Sequence, residues 1–257
     1  MLRRLLYRFY EWRLASTLRA VERPQHVGII LDGNRRFARR QGFADAADGH
    51  RRGADKAEEL LAWCDDLEIP IVTVWALSTD NFRRDPEELG AIFSIVEDKI
   101  AALVETQTTS RRRRVRAVGR TELLPESTRA AIANVEASTA DYGPHELMIA
   151  VGYGGREEIT DAVRRLIAQR VSEGASLEGI VDGLNPDAIS AYMYAPDVPD
   201  PDLIIRTSGE LRLSGFLLWQ SAYSEFYFCD VYWPEFRRID FLRALRSYGQ
   251  RQRRRGS

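Results

Sequence analysis

Arginine and a hydroxyl or amide recur together at four places in this 257-residue chain, three of them with glycine. The clusters are Asp32-Gly33-Asn34-Arg35-Arg36, Ser78-Thr79-Asp80-Asn81-Phe82-Arg83-Arg84, Gly152-Tyr153-Gly154-Gly155-Arg156 and Arg206-Thr207-Ser208-Gly209-Glu210. Guanidinium forks, hydroxyls and closely approaching glycine backbone suit an anion with several oxygens, phosphate or diphosphate before others. Asp32 stands out as an acid among these cations. Its type and place leave three roles open: ion-pair partner of the arginines, N-cap of the helix that follows, or ligand of Mg²⁺. A hard cation of that kind takes one or two carboxylates plus phosphate oxygens.

These clusters need a frame, and the hydropathy pattern supplies one. After Pro24 the chain alternates apolar runs with amphipathic stretches. Strands are expected at His26–Leu31, Ile69–Leu77, Arg114–Val118, Glu146–Val151 and Asp202–Arg206. Between them come a helical stretch with Ala54, Ala57, Leu60, Leu61 and Cys64 on one face, then a helix opened by Pro86 and running to about Val104. Further helices are expected over Glu126 to about Thr139, from Arg156 to about Val171, near Ile189, and from Asp240 onward. Strands joined through long helices imply an α/β fold, a single domain with a central, mostly parallel sheet flanked by helices. All four clusters then fall beyond carboxyl ends of strands, where open parallel sheets bind ligands. Ahead of this domain (residues 24–257), residues 1–23 place Leu2, Leu5, Leu6, Phe9 and Trp12 at helical spacing among arginines. That amphipathic helix packs on its own domain, lies on a membrane surface, or covers a hydrophobic opening.

Composition excludes several classes. The net charge is −1, with 44% hydrophobic and 29% charged residues, which is ordinary for a globular chain. No run of about 18 apolar residues is present. Arg8, Glu11 and Arg13 interrupt any signal-peptide core. Cys64 and Cys229 are too few for a disulfide framework or a zinc site, so a cytoplasmic, reduced location is expected. No P-loop, G-x-G-x-x-G, H-E-x-x-H or G-x-S-x-G motif occurs. His26, at a strand start, reads as structural. Arg111–Arg114 reads as a solvated turn, and the balanced charge argues against a nucleic-acid partner.

Five blocks then carry a resemblance that spans His26 to Gly256. They are His26-Val27-Gly28-Ile29-Ile30-Leu31-Asp32-Gly33-Asn34-Arg35-Arg36, Ser78-Thr79-Asp80-Asn81-Phe82, Gly152-Tyr153-Gly154-Gly155-Arg156, Arg206-Thr207-Ser208-Gly209-Glu210-Leu211-Arg212-Leu213-Ser214, and Phe216-Leu217-Leu218-Trp219-Gln220 running on to Glu225. In this order the chain resembles the cis-prenyltransferases of the undecaprenyl diphosphate synthase family, and is most similar to actinobacterial members, including short-chain Z-prenyl diphosphate synthases. The resemblance implies a transferase with a hydrophobic tunnel that joins isopentenyl diphosphate to an allylic prenyl diphosphate such as the geranyl or farnesyl compound.

The same resemblance assigns roles. Asp32 would hold Mg²⁺, with Glu225 helping to hold the metal. Gly33, Asn34, Arg35, Arg36 and Arg39 would cradle the allylic diphosphate, and Arg206, Arg212 and Ser214 the isopentenyl diphosphate. His50, Ser78, Asn81 and Arg84 would stand near the reacting carbons, with Phe82 stacking near substrate where many members have tryptophan. A homodimer with its interface near Phe226–Trp233 is implied, and the Arg254-Arg255-Gly256 ending is similar to one that reaches a partner's site. The stretch Gly42–Gly49 lacks an arginine that many members carry. Ala76, at the tunnel-facing end of the second strand, leaves room for a long chain, whereas the whole-chain resemblance favours a short product such as (2Z,6E)-farnesyl diphosphate. The rival readings are a long-chain synthase, a non-catalytic partner subunit of a prenyltransferase complex, and a phosphate-ligand binding module or phosphatase.

Overall fold

The computed structural model describes residues 11, 13–16, 18, 23–106 and 112–255. Six strands form one sheet: β1 (His26–Ile30), β2 (Ile71–Ser78), β3 (Arg113–Val118), β4 (His145–Tyr153), β5 (Leu203–Arg206) and β6 (Glu225–Phe228). Their order is β3-β4-β2-β1-β5-β6, and every pairing is parallel. The helices are α1 (Asn34–Gln41), α2 (Ala46–Asp66), α3 (Pro86–Thr106), α4 (Glu126–Thr139), α5 (Gly155–Ser172), α6 (Leu177–Asp182), α7 (Pro186–Ser190) and α8 (Arg238–Arg255). From β1 the chain moves toward β2, whereas β5 leads the other way to β6. The carboxyl ends of β1 and β5 therefore flank the switch point where a crevice opens in such sheets.

Alternate strand residues bury two cores. Val27, Ile29, Val72, Val74, Leu147, Ile149 and Ile205 face one side, packed with residues of α2, α3, α4 and α8. Ile30, Met148, Ala150, Tyr153 and Ile204 face the other, under Phe216 and Leu217. Gly28 permits that second layer, because a Cβ there would stand 3.1 Å from the Phe216 ring.

Several expectations are corrected in detail. The stretch after β1 is two helices, not one. Gly42, at φ 71°, ends α1, and the Asp45 carboxylate accepts from the Ala47 N–H to begin α2. β4 runs through Gly152 to Tyr153, because a bulge on β2 at Ala76 is answered by one on β4 at Gly152. The aromatic stretch after Phe216 supplies β6. Arg113 is no solvated residue: it is 4% exposed, ion-paired to Asp65 at 2.6 Å, and donates to the carbonyls of Ile69 and Pro70.

At the N-terminus, residues 11, 13–16 and 18 are helical, and Leu14 and Leu18 are buried in the first core. Leu2, Leu5, Leu6, Phe9 and Trp12 lie outside the described residues, as do Gly256 and the side chains of Arg254 and Arg255. Among the described residues, no helix is long and apolar enough to cross a membrane.

Candidate active site

β1 ends against the turn Leu31-Asp32-Gly33. Gly33 has φ 111°, and a Cβ there would meet Tyr232 at 3.0 Å, so glycine is required both by conformation and by contact. Gly33 is also the residue that caps α1, and no side chain does so; Asp32 is therefore not an N-cap. The first helical bond is Phe37 N–H to the Gly33 carbonyl, which leaves the preceding N–H groups of Asn34, Arg35 and Arg36 outside the helical ladder. With the helix dipole they form an anion-binding edge.

Asp32 lies between two arginines. Its Oδ2 accepts from Arg206 Nη2 at 2.8 Å and its Oδ1 from Arg36 Nη2 at 3.1 Å. Burial raises the Asp32 pKa, but bonds from Arg206 and Ser208 and the charges of Arg206 and Arg36 outweigh it and hold the carboxyl below its ordinary value. Arg36 also donates to Ser208 Oγ and Glu210. Arg206 is 5% exposed, donates further to the Arg212 carbonyl and Ser214 Oγ, and keeps an Nε–H with no protein partner.

The opposite rim is organised by Glu88 in the first turn of α3. Its Oε1 lies 3.3 Å from His50 Nε2, 3.0 Å from Arg84 Nη1 and 3.6 Å from Arg35 Nε. Burial lowers the His50 pKa, and the arginines add to this against Glu88, so the ring is neutral at neutral pH. Asn81 closes the turn after β2 by accepting the Ser78 N–H at 3.0 Å.

The two rims enclose one cavity of about 470 Å³, with Glu88, Ser208 and Glu210 behind its lining as partners of the residues that face it. Of the residues singled out in the sequence, Asp32, Gly33, Asn34, Arg35, Arg36, Arg39, His50, Ser78, Asn81, Arg84, Arg206, Arg212 and Ser214 all face it. Phe82 does not: the 3-10 turn Thr79–Arg83 directs its ring into the core, 6.1 Å from Phe93. Glu225 does not either. It starts β6 opposite Leu203, three residues or roughly 10 Å from the Phe228–Arg206 end, and its carboxylate accepts from Arg251 at 2.7 Å. The sequence reading missed Glu88, whose place in a first helical turn looks like ordinary dipole complementarity. It also missed Trp75, which lines the cavity and stacks on Phe216 at 5.2 Å.

Behind the polar cavity lies a second, apolar one of about 110 Å³ between the sheet and helices α2 and α3. Leu31 and Ala76 line both. The bulge at Ala76 places this small side chain at the junction. A charged, arginine-rich mouth and an apolar chamber that meet at Leu31 and Ala76 suit a molecule with a diphosphate head and an apolar tail.

Comparison with known proteins agrees with that class. Residues 30–256 match the undecaprenyl diphosphate synthase family of prenyltransferases. An isoprenyl transferase from Deinococcus radiodurans is 55% identical over 96% of this chain and 90% of its own. The (2Z,6E)-farnesyl diphosphate synthase of Thermobifida fusca is 52% identical over 100% of this chain and 99% of its own. A geranylgeranyl-diphosphate-specific tritrans,polycis-undecaprenyl-diphosphate synthase from Methanopyrus kandleri is also 52% identical, over 98% and 91%. Among solved structures, lavandulyl diphosphate synthase from Lavandula x intermedia, in complex with dimethylallyl diphosphate, superposes with a TM-score of 0.82 at 34% identity, covering 88% of this chain and 94% of that one. The chain belongs to the undecaprenyl diphosphate synthase family of prenyltransferases.

Proposed function

We propose that this protein condenses isopentenyl diphosphate with an allylic prenyl diphosphate to give a Z-prenyl diphosphate, and that its chain grows past Ala76 into the apolar chamber. The carrying observation is the junction itself: the diphosphate mouth and the hydrocarbon chamber share Leu31 and Ala76. The α1 N-terminus with Arg35, Arg36 and Arg39 holds the allylic diphosphate. Arg206, Arg212 and Ser214 hold that of isopentenyl diphosphate. Between them, pre-set cations and N–H groups stabilise charge on the departing pyrophosphate. His50, Ser78 and Asn81 sit where the isopentenyl unit loses its proton. Retention of this whole set favours an enzyme over a non-catalytic subunit.

Among the described residues, no group of three or more His, Cys, Asp or Glu could hold a metal alone. Asp32 nevertheless fits Mg²⁺, which keeps waters and substrate phosphate oxygens and asks for one or two carboxylates. When bound, Mg²⁺ supplies positive charge to the diphosphate. Asp32 is the carboxylate assigned to it, since Glu225 lies at the far end of β6.

The reading includes a homodimer through the β6 edge, where Phe226 and Phe228 stack at 6.4 Å and are half-buried. It also includes a cytoplasmic enzyme that delivers its apolar product to a membrane surface. The test is product analysis with Ala76→Leu: the expected result is a shift to shorter products with the first condensation retained. Unchanged product length would refute growth past Ala76.

A further inference from the structure

The apolar chamber has one feature that a hydrocarbon site does not need. Its wall, otherwise Leu31, Ala54, Ala57, Leu61, Val74, Ile95 and similar residues, includes Lys99 of α3 and Glu58 of α2. Charged groups at an apolar lining are the informative exceptions in a burial pattern. Lys99 Nζ donates to Asp55 at 2.6 Å and to Glu58 at 2.8 Å, so one ammonium joins two carboxylates across the two helices that wall the chamber. Lys99 is the sole basic residue of α3 and one of two lysines in an arginine-rich chain. Its stem covers apolar surface while its head stays near solvent; the side chains of Lys99, Asp55 and Glu58 are 31%, 59% and 52% exposed. Lys99 lies eleven residues beyond Glu88, roughly 16 Å along the helix, so this contact is remote from the diphosphates.

We propose that the Lys99–Asp55/Glu58 contact is a length-determining seam: closed, it confines the growing chain between α2 and α3, and opened, it lets the chain pass outward and grow longer. The idea rests on the reading that the chain enters this chamber. An exposed ion pair is only weakly stabilising, so thermal opening is frequent on the scale of an elongation cycle. A wall of interlocking leucines would not yield in this way. The two carboxylates hold the ammonium pKa up against the opposing effect of partial burial, so the seam stays charged through neutral pH.

The experiment compares product distributions of wild type, Lys99→Met, Lys99→Arg and the double variant Asp55→Asn/Glu58→Gln. Labelled isopentenyl diphosphate and farnesyl diphosphate are used throughout. Lys99→Met and the double variant should give longer products, by at least one isoprene unit at the median. Lys99→Arg should retain the wild-type distribution, and the kcat/KM of the first condensation should change less than about twofold in all. Raising the salt from about 0.05 to 0.5 M, which shrinks the screening length, should lengthen wild-type products and leave those of Lys99→Met unmoved. Unchanged distributions in both charge-removing variants overturn the seam. A wild-type enzyme that stops after one addition overturns the chamber reading instead, and is seen without any variant. A Lys99→Met protein that fails to fold leaves the double variant and the salt series to decide.

Discussion

Asp32 has two tasks that a single substitution separates badly and a pair of substitutions separates well. It neutralises Arg206, which is nearly fully buried, and it faces the diphosphate cavity. Asp32→Ala leaves that guanidinium without its carboxylate, at a cost of roughly 1–3 kcal/mol, visible in thermal denaturation. Asp32→Asn keeps one acceptor oxygen and recovers part of the stability. Turnover should fall by about 100-fold or more in both, since neither offers the charged carboxylate that the proposed metal role requires. Recovery of turnover in Asp32→Asn would mean that the residue acts by packing alone. His26 gives a residue-level pH prediction. Its Nδ1–H donates to the Pro199 carbonyl and its Nε2 accepts from Thr73 Oγ1, both at 2.7 Å. Burial lowers its pKa, against the Pro199 carbonyl and Asp202. Because the unfolded chain then binds more protons, this stability is complete above the ordinary histidine pKa and is lost as pH falls below it. His50, also lowered, has the same sign. The melting temperature should therefore drop between about pH 7 and pH 5, and His26→Gln should be less stable at pH 7 yet show a shallower drop. An equal drop in both proteins would contradict the assignment.

At the scale of elements, the contact between α1 and α2 decides where the anion-binding edge points. Gly49 and Gly53 of α2 lie against the Asn34 carbonyl and side-chain oxygens, so a Cβ at either position would collide with Asn34. Gly53→Ala raises helix propensity by about 1 kcal/mol, but overpacking against the Asn34 side chain and the Trp233 ring costs more, typically about 1–3 kcal/mol. The net expectation is lower stability together with a raised KM for the allylic diphosphate, because α1 is displaced. Higher stability with unchanged KM would contradict this packing. Elements were legible in the sequence where periodicity had a clean cause: α4 spans the expected Glu126–Thr139, and all the expected strands exist within a residue or two. What the sequence hid depended on distant partners. The Ala76 bulge is set by β4 register, and Arg113 looked solvated because the Asp65 that buries it lies 48 residues away. The rotation of Phe82 away from the cavity comes from packing on α3. Glu88 was unreadable because its three partners, Arg35, His50 and Arg84, come from α1, α2 and the loop after β2.

For the whole molecule, the topology does much of the functional work. Crossing from β1 to β2 on one side and from β5 to β6 on the other opens the switch-point crevice, and it brings Asp32 and Arg206 together across 174 residues of chain. The β1-to-β2 crossover lays α2, and the β2-to-β3 connection lays α3, over the sheet face that bounds the apolar chamber. The polar cavity and the apolar chamber are thus adjacent by construction, with Ala76 lining both, and of the motifs marked in the sequence those around Asp32, Ser78 and Arg206 meet at the cavity. The measurement that addresses this most directly is incorporation of labelled isopentenyl diphosphate by the purified protein with Mg²⁺. Geranyl, farnesyl and geranylgeranyl diphosphate are offered separately, with product length and double-bond geometry read by chromatography. The expected result is a product extended by new Z double bonds, beyond a single addition, and abolished by chelation of the metal. Folded protein that incorporates nothing from any primer, or that makes only E double bonds, would contradict the account.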